Sequence, residues 1–451
     1  MREENFYRPL EKYLDTINSE CIAMEESDTK LSVQITLTIL DKIISRLKET
    51  DDFFKATYNR NTYVGSYFDG LRVKEATEFD VNCVLSLPVD YSKIVVSRDP
   101  RHPGYVKINL LNSAYTGAKL QRFQSETVKL FKMVDPYGFL SHEAVLRWWE
   151  SMFSRIHLNE LDVDGRKFKI TFHKAGPAMT ASIHSRSQQI DVDIVPVIEF
   201  TPRFAPPQPI RWKNLEFSSW FAVPKRLAYD PSLWRISFPG QEQQIMNGKF
   251  YLKMTNRFLK RFRDANNWKD LTSYYIKTMF IWEAYEQEFD YHFRKNRGYL
   301  LVYFLNKLSD YLDRGHLPFF WDDRMNLLEK IKYDSLLNYS FRIKRLVSKL
   351  ERLIEEDRPS ELNELMIEAF YPPDERRSRL SMPVLPDSSS DSSGDHNWEL
   401  VEPAGDAGLV RSSPRQQTEE NPWSTFAVLA GVGAVAMAGA FMFASFASKK
   451  K

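Results

Sequence analysis

The chain has 451 residues, 43% of them hydrophobic and 14% aromatic, which is enough for a substantial core and more than one ordinary domain. With 62 basic against 60 acidic residues the formal charge is +2, so composition does not mark a nucleic-acid binder, and any basic surface must be a local patch. Only Cys21 and Cys83 are present, too few for a disulfide framework or a cysteine-rich zinc site. The charged start Met1-Arg2-Glu3-Glu4-Asn5 is followed by no apolar stretch of the secretory type, so the folded part is expected in the cytosol.

Over residues 31–54, Leu31, Val33, Leu37, Leu40, Ile44 and Leu47 recur at the three-and-four spacing of an amphipathic helix, with Lys42, Arg46 and Lys48 on the polar side. That helix is expected to lead directly into the small-residue turn Gly65-Ser66. Next comes Glu78-Phe79-Asp80, opening the β-type run Val81-Asn82-Cys83-Val84-Leu85. Residues i and i+2 of a strand share a face, so Glu78 and Asp80 project side by side with Phe79 behind them. Two carboxylates so placed suit Mg²⁺, which favours carboxylate and phosphate oxygens.

Ser141 precedes His142-Glu143-Ala144-Val145 as a helix N-cap, and the lone His142 is expected to be structural. Further on, Gln189-Ile190-Asp191-Val192-Asp193-Ile194 alternates, placing Asp191 and Asp193 opposite the apolar face. Asp193 is then a third carboxylate for the site begun by Glu78 and Asp80. A helix, a Gly-Ser turn, a Glu-x-Asp strand and a later Asp strand form the layout of an α/β (α+β) polymerase-β-like nucleotidyltransferase core with a mixed sheet. The turn's N–H groups would cradle a triphosphate while the acids bind two metals.

These residues, with Gly176-Pro177-Ala178, Trp234-Arg235-Ile236-Ser237-Phe238, Leu271-Thr272-Ser273-Tyr274-Tyr275 and Leu317-Pro318-Phe319-Phe320-Trp321, resemble the Mab family (male-abnormal-twenty-one) in its own order. That nucleotidyltransferase-fold group includes cyclic GMP-AMP synthase. The resemblance implies that Glu78, Asp80 and Asp193 are catalytic and bind Mg²⁺ or Mn²⁺. It implies that Gly65 and Ser66 contact the triphosphate, that Arg235, Lys253, Ser273 and Tyr274 line the nucleotide pocket with Tyr274 stacking on a base, and that ATP and GTP are substrates. One departure stands out: residues 239–249 contain no cysteine or histidine, so the zinc-binding insertion that grips DNA in the vertebrate enzyme has no ligands here. That leaves double-stranded RNA, another ligand or no ligand at all. The run Lys249, Lys253, Arg257, Lys260, Arg261 and Arg263 is read either as a face for RNA phosphates or as pocket and internal pairing.

From residue 250 onward apolar periodicity predicts a helical lobe. The expected domains are residues 1–245 as the core, 246–372 as the helical lobe, 373–422 as a disordered linker rich in Ser, Pro and Asp, and 423–448 as one transmembrane helix. The uncharged stretch 423–447 is long enough to span a membrane, reads as a tail anchor, and favours the mitochondrial outer membrane, then the endoplasmic reticulum. The expectation is a membrane-tethered, Mg²⁺-dependent synthase of a cyclic dinucleotide. The alternative is a non-catalytic, nucleotide-binding adaptor at an organelle surface.

Overall fold

The computed structural model describes residues 2–186, 188–201, 219–227, 230–286 and 296–380. Helix α1 (Glu26–Thr50) forms where Ile35, Ile39, Leu40, Ile43, Ile44 and Leu47 repeat on one face, and all six are buried. It stops at Asp51, whose side chain accepts the Phe54 N–H at 2.9 Å and caps a separate short helix, Asp52–Thr57. The single helix expected over 31–54 is therefore two. It also does not run directly into the Gly-Ser turn, because strand β1 (Tyr58–Val64) intervenes and pairs antiparallel with β2 (Glu78–Leu85).

Eight further strands complete a ten-stranded mixed sheet: β3 (Val95–Arg98), β4 (Tyr105–Asn109), β5 (Glu160–Val163), β6 (Arg166–Ala175), β7 (Ala178–His184), β8 (Gln189–Phe200), β9 (Trp220–Val223) and β10 (Leu233–Ser237). Their order is β3-β4-β10-β9-β8-β7-β6-β5, with β2 joined to β8 off that path. The long strand β8 is the hub: β2 pairs with it in parallel, β7 and β9 antiparallel. Ile190, Val192 and Ile194 are buried as the alternation requires. Helix α2 (Gly65–Phe68) is the Gly-Ser turn itself.

Helix α3 (His142–Phe153) begins at the predicted cap, Ser141 accepting the Ala144 N–H at 3.2 Å. His142 is 1% exposed and packs edge-on to Trp234, as a structural residue does; burial pushes its pKa down. Trp149 of α3 is fully buried and donates its Nε1–H to the Ile194 carbonyl at 3.3 Å, fastening the helix to the middle of β8.

After β10 the chain is helical: α4 (Pro239–Met246), α5 (Phe250–Ala265), α6 (Ser273–Glu286), α7 (Arg297–Arg314), α8 (Tyr333–Glu355), α9 (Pro359–Phe370) and α10 (Pro373–Leu380). Of the apolar residues Ile343, Leu346, Leu350, Leu353 and Ile354 whose spacing predicts α8, the first four are buried and Ile354 is half-buried. Helix α10 corrects the expected start of the linker at 373, because Arg376 donates to the Tyr371 carbonyl at 2.7 Å and Arg379 pairs with Glu20. Sheet and helices belong to one unit, Met1–Val384. The second unit, Leu385–Lys451, lies outside the described residues, and with it most of the expected linker and the whole expected span 423–448. Among the described residues no helix is long and apolar enough to cross a membrane.

Asp51 also ties the core to two cations, Lys129 at 2.7 Å and Arg155 at 2.9 Å. Burial alone would raise its pKa, but Lys129, the Phe54 N–H and Arg155 outweigh that and hold it below the ordinary value. Asp51→Ala should lower unfolding free energy by about 2 kcal/mol at pH 7, the loss of a cap plus two partly exposed pairs. A depressed carboxylate stabilises above its unfolded pKa of about 4 and loses that as pH falls, so the gap between variant and parent should close below about pH 4 in urea titrations.

Candidate active site

The parallel pairing of β2 with β8 sets Asp80 directly beside Asp193 and Glu78 beside Asp191. Beneath them Phe79, Val81, Val192 and Ile194 are buried, so all four carboxylates rise from the same side of the sheet. On the next strand Thr180 faces Asp193 and donates its hydroxyl to Asp193 Oδ1 at 2.5 Å, while Ser182 donates to Asp191 Oδ1 at 2.6 Å. Gly65 lies over Asp80 with φ +83°, and a Cβ at that position would stand 1.8 Å from Asp80 Oδ2. Only glycine lets the turn pass over the carboxylate.

Asp80 has its pKa pushed up to about 6, first by burial and then by the charges of Asp193, Glu78 and Asp69, with Arg72 opposing. Glu78 is engaged by a cation. Arg72 holds it at 2.6 Å while donating also to the Glu75 carbonyl at 2.7 Å and Thr77 Oγ1 at 3.0 Å, and the Glu78 side chain stays 68% exposed. Among the described residues no group of three or more His, Cys, Asp or Glu stands ready to hold a metal ion. Of the three predicted acids, Glu78 is held by Arg72 while Asp80 and Asp193 stand side by side in the sheet.

Gly65, Ser66, Glu78 and Asp80 form one wall of a cavity of about 760 Å³. The facing helices contribute Lys260, Arg261 and Arg263 from α5 and Ser273, Tyr274 and Lys277 from α6. The predicted Ser273 and Tyr274 are thus at the cavity, Ser273 accepting from Arg263 at 2.7 Å and Tyr274 donating its hydroxyl to Glu242 Oε1 at 2.8 Å. Burial and Glu242 push the Tyr274 pKa well up.

Arg235 and Lys253 lie elsewhere. The Arg235 guanidinium stacks 4.0 Å over Phe319, and the Lys253 stem rests against Gly70. Within the same motif it is Ser237, two residues on, that reaches the cavity.

The basic run of α5 turns inward. Lys260 is 5% exposed, donates to the Leu71 carbonyl at 2.6 Å and has its pKa lowered to about 8, mainly by burial. Arg261 donates to the Phe370 carbonyl at 2.8 Å. These residues follow the pocket-and-pairing reading of the run.

Sequence reasoning missed the node at the cavity's end. Lys277 bridges Asp69 at 2.6 Å and Glu242 at 2.7 Å, and Glu242 also accepts the Trp321 Nε1–H at 3.0 Å. Burial alone would lower the Lys277 pKa, but Asp69 and Glu242 outweigh it and hold the lysine charged. The signal present in the sequence was the i, i+3 spacing of Tyr274 and Lys277 on one helix face.

A carboxylate-bearing sheet behind a Gly-Ser turn, closed by a helical lobe, defines the nucleotidyltransferase class. Residues 67–248 match the Mab-21 protein nucleotidyltransferase domain and residues 251–345 the Mab-21 protein HhH/H2TH-like domain. The cyclic GMP-AMP synthase-like receptor of Aethina tumida is 32% identical over 364 residues, covering 77% of this chain and 89% of that protein. The cyclic GMP-AMP synthase-like receptor of Trichogramma pretiosum is 27% identical over 447 residues, covering 94% and 89%. Cyclic GMP-AMP synthase-like receptor 1 of Drosophila melanogaster is 28% identical over 304 residues, covering 64% and 79%. The chain belongs to the Mab-21 family of nucleotidyltransferases.

A carboxylate whose folded pKa is raised favours the folded state when protonated and penalises it when ionised, so the penalty grows as pH rises from about 4 through about 6. Asp80→Asn should therefore raise the unfolding free energy of the metal-free protein by about 2 kcal/mol at pH 7.5, and this gain should vanish towards pH 4, read by urea denaturation at both pH values.

Proposed function

We propose that the chain is a metal-dependent nucleotidyltransferase that joins ATP and GTP into a cyclic dinucleotide when an activating ligand binds. The observation that carries this reading is the in-register pair Asp80 and Asp193, of which Asp80 lies beneath Gly65 and lines a cavity that Lys260, Arg261 and Arg263 reach from the facing helix. The similarity to cyclic GMP-AMP synthase-like receptors supports it.

The donor set fits a hard divalent cation. Asp80 binds its proton more tightly first because it is buried and then because Asp193, Glu78 and Asp69 crowd it with negative charge, a crowding that a Mg²⁺ or Mn²⁺ ion would relieve. Asp80 and Asp193 would hold it, with Glu78 joining after release from Arg72. When bound, the ion supplies positive charge that stabilises the attacking and leaving oxygens of phosphoryl transfer.

The chain's own residues perform the rest. Gly65 and Ser66, which line the cavity, take the triphosphate through the turn's backbone and the Ser66 hydroxyl. Lys260, Arg261 and Arg263 offer cations to phosphate oxygens from the helical wall. Tyr274, anchored through its hydroxyl to Glu242, gives a base a fixed ring to lie on.

The adaptor alternative draws on one observation: Glu78 is engaged by Arg72, and among the described residues no group of three or more acids stands ready for a metal. Incubating the purified protein with ATP, GTP and Mg²⁺ or Mn²⁺, with and without double-stranded RNA or double-stranded DNA, separates the two. A cyclic dinucleotide should form under one of these ligands and disappear, by at least about 10³-fold, in Asp193→Ala, as removal of a metal-binding acid does in metal-assisted catalysis. No product under any ligand would favour the adaptor.

The uncharged stretch 423–447 supports tethering of this enzyme to a membrane, the mitochondrial outer membrane first and the endoplasmic reticulum next. The full chain should stay with membranes through alkaline carbonate extraction, and deletion of 423–447 should release it to the soluble fraction.

A further inference from the structure

We propose that Thr180 of β7 is the positioning residue that orients Asp193 for the site. This rests on the reading of Asp193 as a metal-binding acid and goes beyond it, naming the residue that holds the acid in place.

Strand β7 alternates Met179, Ala181 and Ile183 on the core side with Thr180 and Ser182 on the other. A strand face turned from the core normally carries solvent-exposed polar side chains, yet Thr180 is 4% and Ser182 7% exposed. Both hydroxyls are committed. Antiparallel pairing puts Thr180 opposite Asp193 and Ser182 opposite Asp191, and each donates to its partner's Oδ1, at 2.5 Å and 2.6 Å. Hydroxyl-to-carboxylate bonds of this length are charge-assisted and about twice as strong as neutral ones.

The two bonds differ in what lies across β8: Asp191 faces Glu78, which Arg72 holds, whereas Asp193 faces Asp80. With Oδ1 taken by the strand on one side, Asp193 has its remaining oxygen for the strand on the other side, where Asp80 stands in register beneath Gly65. Thr180, Asp193 and Asp80 therefore form a row across three adjacent strands. Threonine is suited to the task because its β-branch restricts χ1, so the hydroxyl is aimed by packing and not only by the bond it makes. Ser182 and Asp191 make the same kind of bond one row away, beside Glu78, and supply a matched comparison.

The test uses the full-length chain and Mn²⁺ alone as probe, with affinity read by the loss of free Mn²⁺ signal in electron paramagnetic resonance. The parent protein should bind, and Asp193→Asn should not. Thr180→Val, which keeps shape and removes the hydroxyl, should weaken Mn²⁺ binding about 10- to 100-fold, the range for partners that orient metal ligands. It should lower kcat similarly while leaving nucleotide KM within about threefold, since an oriented acid acts on the reacting centre rather than on ground-state binding. Thr180→Ser should restore most of both, and Ser182→Ala, which removes an equally short bond, should leave Mn²⁺ affinity near that of the parent. Circular dichroism melts of all variants identify any that fail to fold. Parent-like Mn²⁺ affinity in a folded Thr180→Val, or an equal loss in Ser182→Ala, overturns the positioning role while Asp193 remains a metal ligand. No Mn²⁺ binding by the parent overturns the underlying reading and the proposal with it.

Discussion

The parallel pairing of β2 with β8 is the constraint on which the site depends. Eight consecutive residues of each strand are matched, from Glu78 with Asp191 to Leu85 with Ile198. Because side chains alternate faces with a period of two, one register places the carboxylates above the sheet and Phe79, Val81, Val192 and Ile194 below it. A one-residue slip would bury the acids and expose the core. Holding the register are Trp149, whose indole bonds the Ile194 carbonyl, and the apolar faces of α1 and α3. Core packing and chemical potential are thus set by the same strand alignment.

Much of this was legible without coordinates. The Glu78-Phe79-Asp80 and Asp191-Val192-Asp193 alternations are local, so period-two reasoning placed each carboxylate on the correct face. Ser141 as a cap and His142 as a structural residue were legible for the same reason. What sequence could not show was which side chains meet across the lobes. Arg235 and Ser237 share a strand face, but Phe319 captures the guanidinium and leaves the serine at the cavity. On α5, Lys253 rests against Gly70, while Lys260, two turns on, reaches Leu71 beside the cavity. Helical spacing narrows such choices without making them, because the partner segment, here residues 69–72, is distant in sequence. The intervention of β1 was missed because Tyr58–Val64 carries only one β-branched pair among polar residues and lies at an otherwise helical boundary.

The Asp69–Lys277–Glu242 node joins three elements that are remote in the chain: the end of the Gly-Ser turn, α6 and α4. A lysine so buried is tolerable only with both carboxylates present, and removing either leaves an uncompensated interior charge. The node ties the turn that faces Asp80 to the helix that carries Ser273 and Tyr274, so the two walls of the cavity keep a common reference point.

That arrangement fills the cavity with charges that already have partners. At the sheet wall Glu78 is paired with Arg72, at the helical wall Arg263 is paired with Asp264, and Lys277 is neutralised within its node. A ligand entering this space trades against those internal pairs, so its affinity is the difference between the contacts it makes and the ones it displaces.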